Sequence, residues 1–296
     1  MGDKEAKRQK LLQDLDDMGL NPLFIINESF LGYKWRKERK KLYSTDDRAL
    51  PARLIKMYYG LTPDEVAFNK MKKRFIRRYI ANESDLEEVH DKSEILGLKV
   101  MYDYIHSREI DKNFDVYTLC ELHRKLYQFT PFPEAAGFIR NQNVYLPGTG
   151  TELCDYSYIR PRLNEIDEEV QYLRSISKEI RRSRNVDDLL AYLDLCVEVN
   201  CELIKVHPFM DGNGRTIRAF TNKLLEDAGL PPIYIGVRER GEYQEAMNKA
   251  NNEGDYRDIK DFYRYKVCDS IVELDINDRI KFETDPVKIY QRPVKK

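Results

Sequence analysis

The 296-residue sequence predicts an all-α fold, a helical bundle that carries one short β-hairpin. The chain contains 14 glycines and 12 prolines, too few for a sandwich of many short strands. Aromatic residues make up 11% of the chain, which excludes a disordered polypeptide. Apolar residues recur at helical spacing over several long segments, and this periodicity is typical of helices that bury one face.

Residues 1–90 are expected to form an N-terminal helical region. Thr62-Pro63-Asp64-Glu65 has the spacing of a capping box, with proline at the first helical position, and predicts a helix that continues to Tyr79. From Lys34 to Ile80 the chain holds 15 Lys and Arg against 5 Asp and Glu. We interpret this basic segment as the solvated faces of amphipathic helices. Docking to an acidic protein or to nucleic acid is the alternative, as is packing against the acidic remainder.

The later helices follow from apolar periodicity alone. They are predicted over Ser84–His106, 115–129, 159–182, 186–206 and 216–225. Two segments break the helical pattern. Gly137–Gly148 places β-forming residues on both sides of Asn141-Gln142-Asn143, which predicts a short hairpin. His207–Gly214 is the second break.

Charge and cysteine content exclude several classes of protein. The formal net charge is −1, which excludes a globally basic nucleic-acid coat and an acidic solvating chain. The five cysteines are odd in number and form no CxxC pair, and no N-terminal apolar stretch resembles a secretory signal. We therefore expect free thiols and a cytoplasmic protein. Neither a membrane nor nucleic acid is expected as a partner.

The segment that starts at this second break reads HPFMDGNGRTIR over residues 207–218. It carries the predicted chemistry. Pro208 prevents the preceding helix from continuing, and Gly212 and Gly214 allow a tight turn close to a ligand. The Gly212–Gly214 turn lies at the start of a helix, where free N–H groups and the helix dipole favour an anion.

The charged residues of this segment are suited to a metal-bound polyphosphate. Arg215 and Arg218 are three residues apart and share one face of the helix, as polyphosphate binding requires. Asp211 can hold a divalent cation that is shared with phosphate oxygens. His207 is the side chain best able to accept a proton near pH 7.

This segment resembles the Fic family signature, HPFx[DE]GNGRxxR, at every position. A chance match in a chain of this length has a probability on the order of 10⁻⁸. The resemblance extends from near Val89 to near Phe262. It includes a flap-like segment at 134–146, a preceding helix with Glu121-Leu-His123, and a C-terminal helix that ends in Gly254-Asp255.

The resemblance implies a Fic-type helical bundle with a hairpin flap, here a catalytic domain over residues 91–265 followed by a tail over 266–296. It implies transfer of AMP from ATP, with Mg²⁺, to a Ser, Thr or Tyr hydroxyl of a target protein, with release of pyrophosphate. By the same resemblance His207 is the general base, Asp211 binds the metal, and the hairpin clamps the target by strand addition. The implied docking residues of the hairpin are Asn143, Val144 and Tyr145.

Phosphate binding is assigned by the same resemblance. The Gly212–Gly214 backbone and Asn213 would cradle the phosphates, Arg215 would neutralise the leaving pyrophosphate, and Arg218 would hold the γ-phosphate. The implied catalytic residues are therefore His207, Asn213 and Arg215. The implied nucleotide-binding residues are Gly212, Asn213, Gly214, Arg215 and Arg218.

Several alternatives stay open. The transferred group could instead be UMP, GMP, phosphate or phosphocholine, because the nucleobase pocket lies outside the signature. The enzyme could instead remove AMP from a modified protein, or the chain could be an adaptor with a dormant site. Self-modification and a homodimer are also left open.

Many Fic proteins carry an inhibitory helix, [ST]xxxE[GN], whose glutamate pairs with the second arginine of the signature. Residues 82–95 contain two partial matches. In one register Ser84 precedes Glu88, and in the other Glu83 precedes Glu87. Glu87 is slightly preferred as the inhibitory residue. The plain alternative is an acidic helix start favoured by the helix dipole.

Overall fold

The computed structural model describes residues 50–59, 65–131, 133–146 and 150–274, with scattered positions between 5 and 17. From residue 50 onward, the described residues form α-helices and short 3₁₀ turns and no strand, which confirms the predicted all-α class. The helices are α1 Leu50–Tyr59, α2 Glu65–Leu86, α3 Lys92–Ile105, α4 Thr118–Tyr127, α5 Ile159–Ser183, α6 Val186–Val206, α7 Asn213–Asp227, α8 Arg240–Glu253 and α9 Arg257–Leu274.

Helix α7 lies at the centre of the bundle. Every residue from Arg215 to Leu225 is buried, and the helix packs against α3, α4, α5 and α6. Two of its buried polar side chains find partners on other elements: Asn200 of α6 donates to Thr221 at 2.9 Å, and Asn222 donates to the Ile233 carbonyl at 2.8 Å. Since a buried polar group without a partner is costly, these contacts fix the position of α7, and with it the loop that precedes it.

The α5–α6 pair matches the bounds predicted from apolar periodicity. Arg184 ends α5 in the left-handed conformation (φ 54°), and Asn185 caps α6 by accepting hydrogen bonds from the amides of Asp187 and Asp188. Helix α7 begins at Asn213, three residues earlier than predicted, and α4 is shorter than the predicted 115–129 at both ends. The earlier start of α7 matters for the site because it places Asn213 and Gly214 in the first turn of the helix, with Gly212 as its N-cap.

The single helix predicted over Ser84–His106 was wrong, because the structure has two helices there. Helix α2 ends at Leu86, Glu88 takes a left-handed conformation (φ 57°), and the Val89 amide donates to the Ser84 carbonyl at 2.9 Å. Asp91 then caps α3 by accepting from the Ser93 amide at 2.8 Å. The expected inhibitory helix over 82–95 is therefore the end of one helix, a turn and the start of another.

The described residues of the expected hairpin over 137–148 form no strand, and residues 147–149 lie outside the described part. Arg140 holds this segment instead: its amide donates to the Pro208 carbonyl at 2.9 Å and its Nε to the His207 carbonyl at 2.7 Å. Its Nη atoms also donate to the carbonyls of Gln142, Cys154 and Val206. The segment is thus tied to the loop after α6 by one buried guanidinium rather than by cross-strand pairs.

Helices α1 and α2 pack on α9, so that part of the N-terminal region is continuous with the bundle. Arg78 of α2 forms a buried ion pair with Glu273 of α9 at 2.6 Å. Helix α9 runs through the expected boundary at residue 265, and the division into regions stays a prediction. Residues 34–49 and 60–64 of the basic segment, with the capping-box residues before Glu65, lie outside the described residues. No helix in the described part is long and apolar enough to cross a bilayer.

Candidate active site at the start of helix α7

Residues of the loop between α6 and α7 themselves determine its conformation. His207 caps α6 in a left-handed conformation (φ 50°), and its amide donates to the Leu203 carbonyl at 2.9 Å. Phe209 is buried and stacks on the His123 ring with centroids 4.0 Å apart. Gly212 (φ 71°) starts α7, a conformation that glycine adopts without strain. The loop therefore exposes the beginning of a helix beside a histidine.

Asn213 closes this loop from the inside. Its Oδ1 accepts from the Phe209 amide at 2.9 Å, and its Nδ2 donates to the Phe209 carbonyl at 2.8 Å. The side chain is 2% exposed and points into the loop rather than toward a ligand. The amides of the first turn of α7 are left for an anion, since they precede the first helical hydrogen bonds.

His207 is half-buried, and burial together with the nearby Arg140 charge lowers the pKa of its imidazole to about 4. The ring is consequently neutral at pH 7 and can accept a proton. Its own carbonyl accepts from Arg140 Nε, which joins the histidine to the 137–146 segment.

Asp211 presents an ionised carboxylate at the mouth of the loop. Its Oδ1 accepts from the Gly212 amide at 2.7 Å, and its Oδ2 accepts from the Tyr127 hydroxyl at 2.8 Å. Partial burial would raise the pKa of this carboxyl, but those two hydrogen bonds outweigh it and the pKa is lowered. Among the described residues no cluster of three or more His, Cys, Asp or Glu could hold a metal by itself. A single ionised carboxylate such as that of Asp211 suits Mg²⁺, which often binds one protein carboxylate and completes its shell with phosphate oxygens and water.

Arg215 is held by two partners that the sequence did not indicate. Its side chain is 1% exposed, its Nη1 pairs with Glu94 of α3 at 2.5 Å, and its Nη2 donates to the Tyr127 hydroxyl at 2.7 Å. Tyr127 therefore stands between Arg215 and Asp211, whose charged atoms are 3.8 Å apart. The Arg215 guanidinium is therefore buried and already paired with the Glu94 carboxylate.

Arg218 contacts two carboxylates. Its Nε lies 3.0 and 2.9 Å from the two carboxylate oxygens of Glu83, and its Nη2 lies 2.6 Å from Glu87. The Glu87 carboxylate also lies against the glycine turn, because a Cβ placed on Gly214 would be 2.7 Å from Glu87 Oε1. The structure thus brings Glu87 to the place that the phosphate cradle was expected to occupy.

Glu88, the other candidate inhibitory residue, pairs with Arg240 at 2.6 Å rather than with Arg218. In the sequence, Glu83 was only the residue that occupies the Ser or Thr position of the [ST]xxxE[GN] motif when Glu87 is taken as its glutamate. Its one available signal was its position, one helical turn before Glu87 and therefore on the same face. The two motif arginines consequently face four carboxylates, those of Glu83, Glu87, Glu94 and Asp211.

The expected docking residues lie at the mouth of the site. Asn143 is engaged with the loop that follows, donating to Asp155 at 2.8 Å and accepting from the Tyr156 amide at 2.9 Å. Val144 is half-buried, whereas Tyr145 is 88% exposed. Phe138 is also exposed, so two aromatic side chains of this segment face solvent.

His123 connects this segment to the loop between α6 and α7. Its Nδ1 accepts from the Gly137 amide at 2.8 Å, and its Nε2 donates to the Asp211 carbonyl at 3.0 Å. Burial lowers the pKa of His123 to about 4, so the neutral tautomer that makes both contacts persists at pH 7. In the sequence, His123 stood out only as part of the helix that precedes the flap-like segment.

A cavity of about 670 Å³ lies between the 150–158 loop and the C-terminal ends of α6 and α8. Val206, the neighbour of His207, forms part of its wall. Charged and polar residues line much of the rest, among them Asp155, Arg162 and Asn252. Its volume falls within the range typical of small-molecule sites, ~300–1,000 Å³.

Part of the sequence matches a known protein family and curated relatives. The family model described as Fic/DOC matches residues 113–225. "Protein adenylyltransferase Fic" of Nematostella vectensis is 25% identical over 270 residues, 88% of this chain and 56% of its own length. The protein of the same name from Drosophila melanogaster is 31% identical over 179 residues, 58% of this chain and 32% of its own length. The chain thus spans about half of the sea-anemone relative and about a third of the fly relative.

Solved structures agree in fold. A fragment of Fic-1 from C. elegans superposes with a TM-score of 0.58 at 22% identity, covering 82% of this chain and 73% of that one. A Fic domain containing signalling protein from Bacteroides thetaiotaomicron superposes with a TM-score of 0.59 at 16% identity, covering 83% and 99%. Both likenesses extend well beyond the segment that the family model matches.

Proposed function

We propose, from the match of residues 113–225 to the Fic/DOC family model, that the protein transfers AMP from ATP to a hydroxyl side chain of a target protein. One observation carries the proposal: His207 and Asp211 lie in the loop before a glycine turn that starts a buried helix, and that helix also bears both arginines. A proton acceptor, an ionised carboxylate and a set of free amides are the groups that phosphoryl-type transfer uses.

In the proposed reaction His207 accepts the proton of the target hydroxyl. The hydroxyl oxygen attacks the α-phosphorus, the bond from that phosphorus to the α,β-bridging oxygen breaks, and pyrophosphate leaves. The neutral imidazole is ready to accept a proton at pH 7, and the negative charge of a bound triphosphate would raise its basicity. The first-turn amides of α7 would stabilise charge on the phosphates.

Asp211 is the residue that would hold Mg²⁺, which supplies charge neutralisation for the phosphate oxygens when it is bound. Tyr127 and the Gly212 amide keep the carboxylate in one orientation. Arg215 lies behind Asp211 and adds positive potential to the same region, while Arg218 would meet the terminal phosphate after Glu87 has moved away. We propose the cavity beside Val206 as the place for the nucleoside.

The test is incubation of the purified chain with Mg²⁺ and ATP labelled on the α-phosphate, followed by gel analysis and intact mass. Label on the chain itself, or on proteins of an added lysate, is expected from the wild type and in larger amount from Glu87→Gly. His207→Ala is expected to bind ATP with unchanged affinity and to transfer no label, because the phosphates are held by other groups. Equal labelling by wild type and His207→Ala would contradict the assignment of the base.

The same assay identifies the transferred group. GTP and UTP labelled on the α-phosphate test the other nucleotides, ATP labelled on the γ-phosphate tests phosphate transfer, and labelled CDP-choline tests phosphocholine transfer. We expect α-labelled ATP to be the productive donor. Self-modification, a homodimer and a cytoplasmic location also belong to the proposal, and label on the purified chain itself tests the first of them.

Removal of AMP is the second candidate function. It is favoured by the position of Glu87, whose carboxylate lies against Gly214 and Arg218 where a terminal phosphate would otherwise approach. A protein that already carries AMP brings no β- or γ-phosphate to this place. The test is to label a protein with the Glu87→Gly variant and then add the wild type. Release of AMP would support removal, and stable label would contradict it.

A further inference from the structure

Glu83 is a fully buried carboxylate, 0% exposed, inside the last turn of α2. Both of its oxygens lie within 3.0 Å of Arg218 Nε, and its Oε2 lies 2.8 Å from Arg218 Nη2. The neighbouring side chains Tyr79, Asn82 and Ser84 are equally buried. Because the helix backbone and its packing hold Glu83 in place, this carboxylate cannot leave Arg218 without unfolding the end of α2.

Glu87 contrasts with Glu83 in each of these respects. It follows the last residue of α2, stands next to the strained Glu88, and has a side chain that is 33% exposed. It touches Arg218 through a single oxygen, at 2.6 Å from Nη2. A rotation of its side chain toward solvent would release it, so Glu87 is the mobile partner of Arg218 and Glu83 the permanent one.

We propose that Glu83 is a specificity-determining residue that keeps Arg218 charge-neutralised, so that the site gains little affinity from the terminal phosphate of a nucleoside triphosphate. This inference rests on the proposed function, since it takes Arg218 as the group that meets that phosphate. Burial raises the pKa of the Glu83 carboxyl, whereas the charge and hydrogen bonds of Arg218 favour its ionised form. A guanidinium that keeps such a carboxylate partner offers a phosphate much less net attraction than a free one. The family motif has Ser or Thr at this position, and a hydroxyl would leave Arg218 with its full charge.

One consequence concerns Glu87. When Glu87 moves aside, Arg218 loses one contact at Nη2, but its Nε and Nη2 remain within 3.0 Å of Glu83, so the charge of the guanidinium stays paired. The site should therefore bind ATP and ADP with similar affinity even without Glu87. Removing the Glu83 charge as well should favour ATP over ADP by roughly 10- to 100-fold, the worth of one charge-assisted contact.

The experiment is calorimetric titration of ATP and of ADP, at fixed Mg²⁺, into Glu87→Gln and into the double variant Glu87→Gln/Glu83→Gln. The Gln side chain keeps the shape of Glu83 and removes its charge. The matched control is Glu87→Gln/Glu88→Gln, which neutralises the adjacent carboxylate that pairs with Arg240 instead. Labelling with α-labelled ATP is measured on the same preparations.

We expect the ratio of the ADP and ATP dissociation constants to stay within about threefold in Glu87→Gln and in the control. It should rise at least about tenfold in Glu87→Gln/Glu83→Gln. A ratio already above tenfold in Glu87→Gln overturns the inference, and this measurement does not depend on the folding of any Glu83 variant. An unchanged ratio in the double variant, with label still transferred, overturns the inference and leaves the proposed function intact. Failure of every variant to bind either nucleotide overturns both.

Discussion

At the scale of single residues, the site depends on side chains that bridge two groups. Tyr127 donates to Asp211 and accepts from Arg215, so one hydroxyl orients a carboxylate and a guanidinium at the same time. It also fills the space beside Gly212, where a Cβ would come within 2.6 Å of its ring. His123 bridges the Gly137 amide and the Asp211 carbonyl in the same manner. Each bridge restricts the catalytic loop to one conformation.

The Asp211 carboxylate can be tested by an isosteric change. Asp211→Asn keeps an oxygen for the Gly212 amide but lacks the negative charge that would bind Mg²⁺. The Mg²⁺ concentration for half-maximal labelling should therefore rise at least about tenfold. The measurement is labelling against Mg²⁺ concentration, with thermal melts to confirm the fold. An unchanged Mg²⁺ dependence would assign Asp211 a structural role.

His123 predicts a pH dependence of stability. Burial lowers its pKa from 6.5 to about 4, so the folded chain binds fewer protons than the unfolded chain between these values. The free energy of unfolding should therefore fall as the pH drops from 6.5 toward 4, by about 1.4 kcal/mol per pH unit for one proton. His207 acts in the same direction.

The His123 contribution is isolated by His123→Gln, which keeps one donor and one acceptor but takes up no proton. Urea unfolding at a series of pH values should give a slope that is smaller than that of the wild type by about one proton between pH 4 and 6.5. Groups other than His123 contribute equally to both proteins. Identical slopes would show that His123 does not titrate in this range.

At the scale of elements, the turn between α2 and α3 decides which acidic residue reaches the site. The left-handed Glu88 and the Asp91 cap reverse the chain immediately after α2. Glu87 is thereby directed at Arg218 and Glu88 at Arg240, although the two are adjacent in sequence. A continuous helix would have directed them differently, since successive side chains on a helix are about 100° apart.

Glu87→Gly should raise self-labelling and target labelling. Removing the carboxylate takes away one of the two acidic partners of Arg218 and clears the space beside Gly214, so a triphosphate can approach the first-turn amides. The measurement is the initial rate of label incorporation from α-labelled ATP, with Glu88→Gln as the control because its carboxylate contacts Arg240. A Glu87→Gly rate equal to that of the wild type would mean that Glu87 does not restrain the reaction.

At the scale of the whole molecule, the acidic end of α2 is connected to the opposite side of the bundle. Arg78, five residues before Glu83, pairs with Glu273 of α9, and Tyr234 donates to the same carboxylate at 2.6 Å. Both ends of this ion pair are almost fully buried, at 5% and 3% exposure. Helix α2 thus forms a buried ion pair with α9 through Arg78 and another with α7 through Glu83.

Arg78→Met should destabilise the fold by about 3–5 kcal/mol, because Glu273 would remain buried without its positive partner. The matched control is Arg264→Met. Arg264 of α9 forms a partly exposed pair with Asp194 of α6, so its loss should cost about 1 kcal/mol or less. Urea denaturation measures both. If the two variants lose the same stability, the Arg78–Glu273 pair does not anchor α2.

The sequence by itself determined the features that depend on neighbours along the chain. Apolar periodicity predicted the α5 and α6 helices, and the local residues of 207–218 predicted a turn at a helix start with a base, an acid and two arginines. These predictions hold because a cap, a glycine turn or a helical face is set within a few residues. The prediction of one helix over Ser84–His106 was wrong because the apolar periodicity continues past the end of α2. The chain turns there at the left-handed Glu88, and Asp91 caps a new helix.

Only the tertiary structure decided which charges meet. Arg218 lies 135 residues from Glu83, Arg215 lies 121 from Glu94, and Tyr127 lies 84 from Asp211. A polyphosphate site with two available guanidiniums was predicted, and each guanidinium proved to have a dedicated carboxylate. The physical reason is that an ion pair depends on distance and burial in space, whereas a motif records only order along the chain. The charge of Arg218 is therefore balanced by a residue at the end of α2 that no pattern along the chain connects to it.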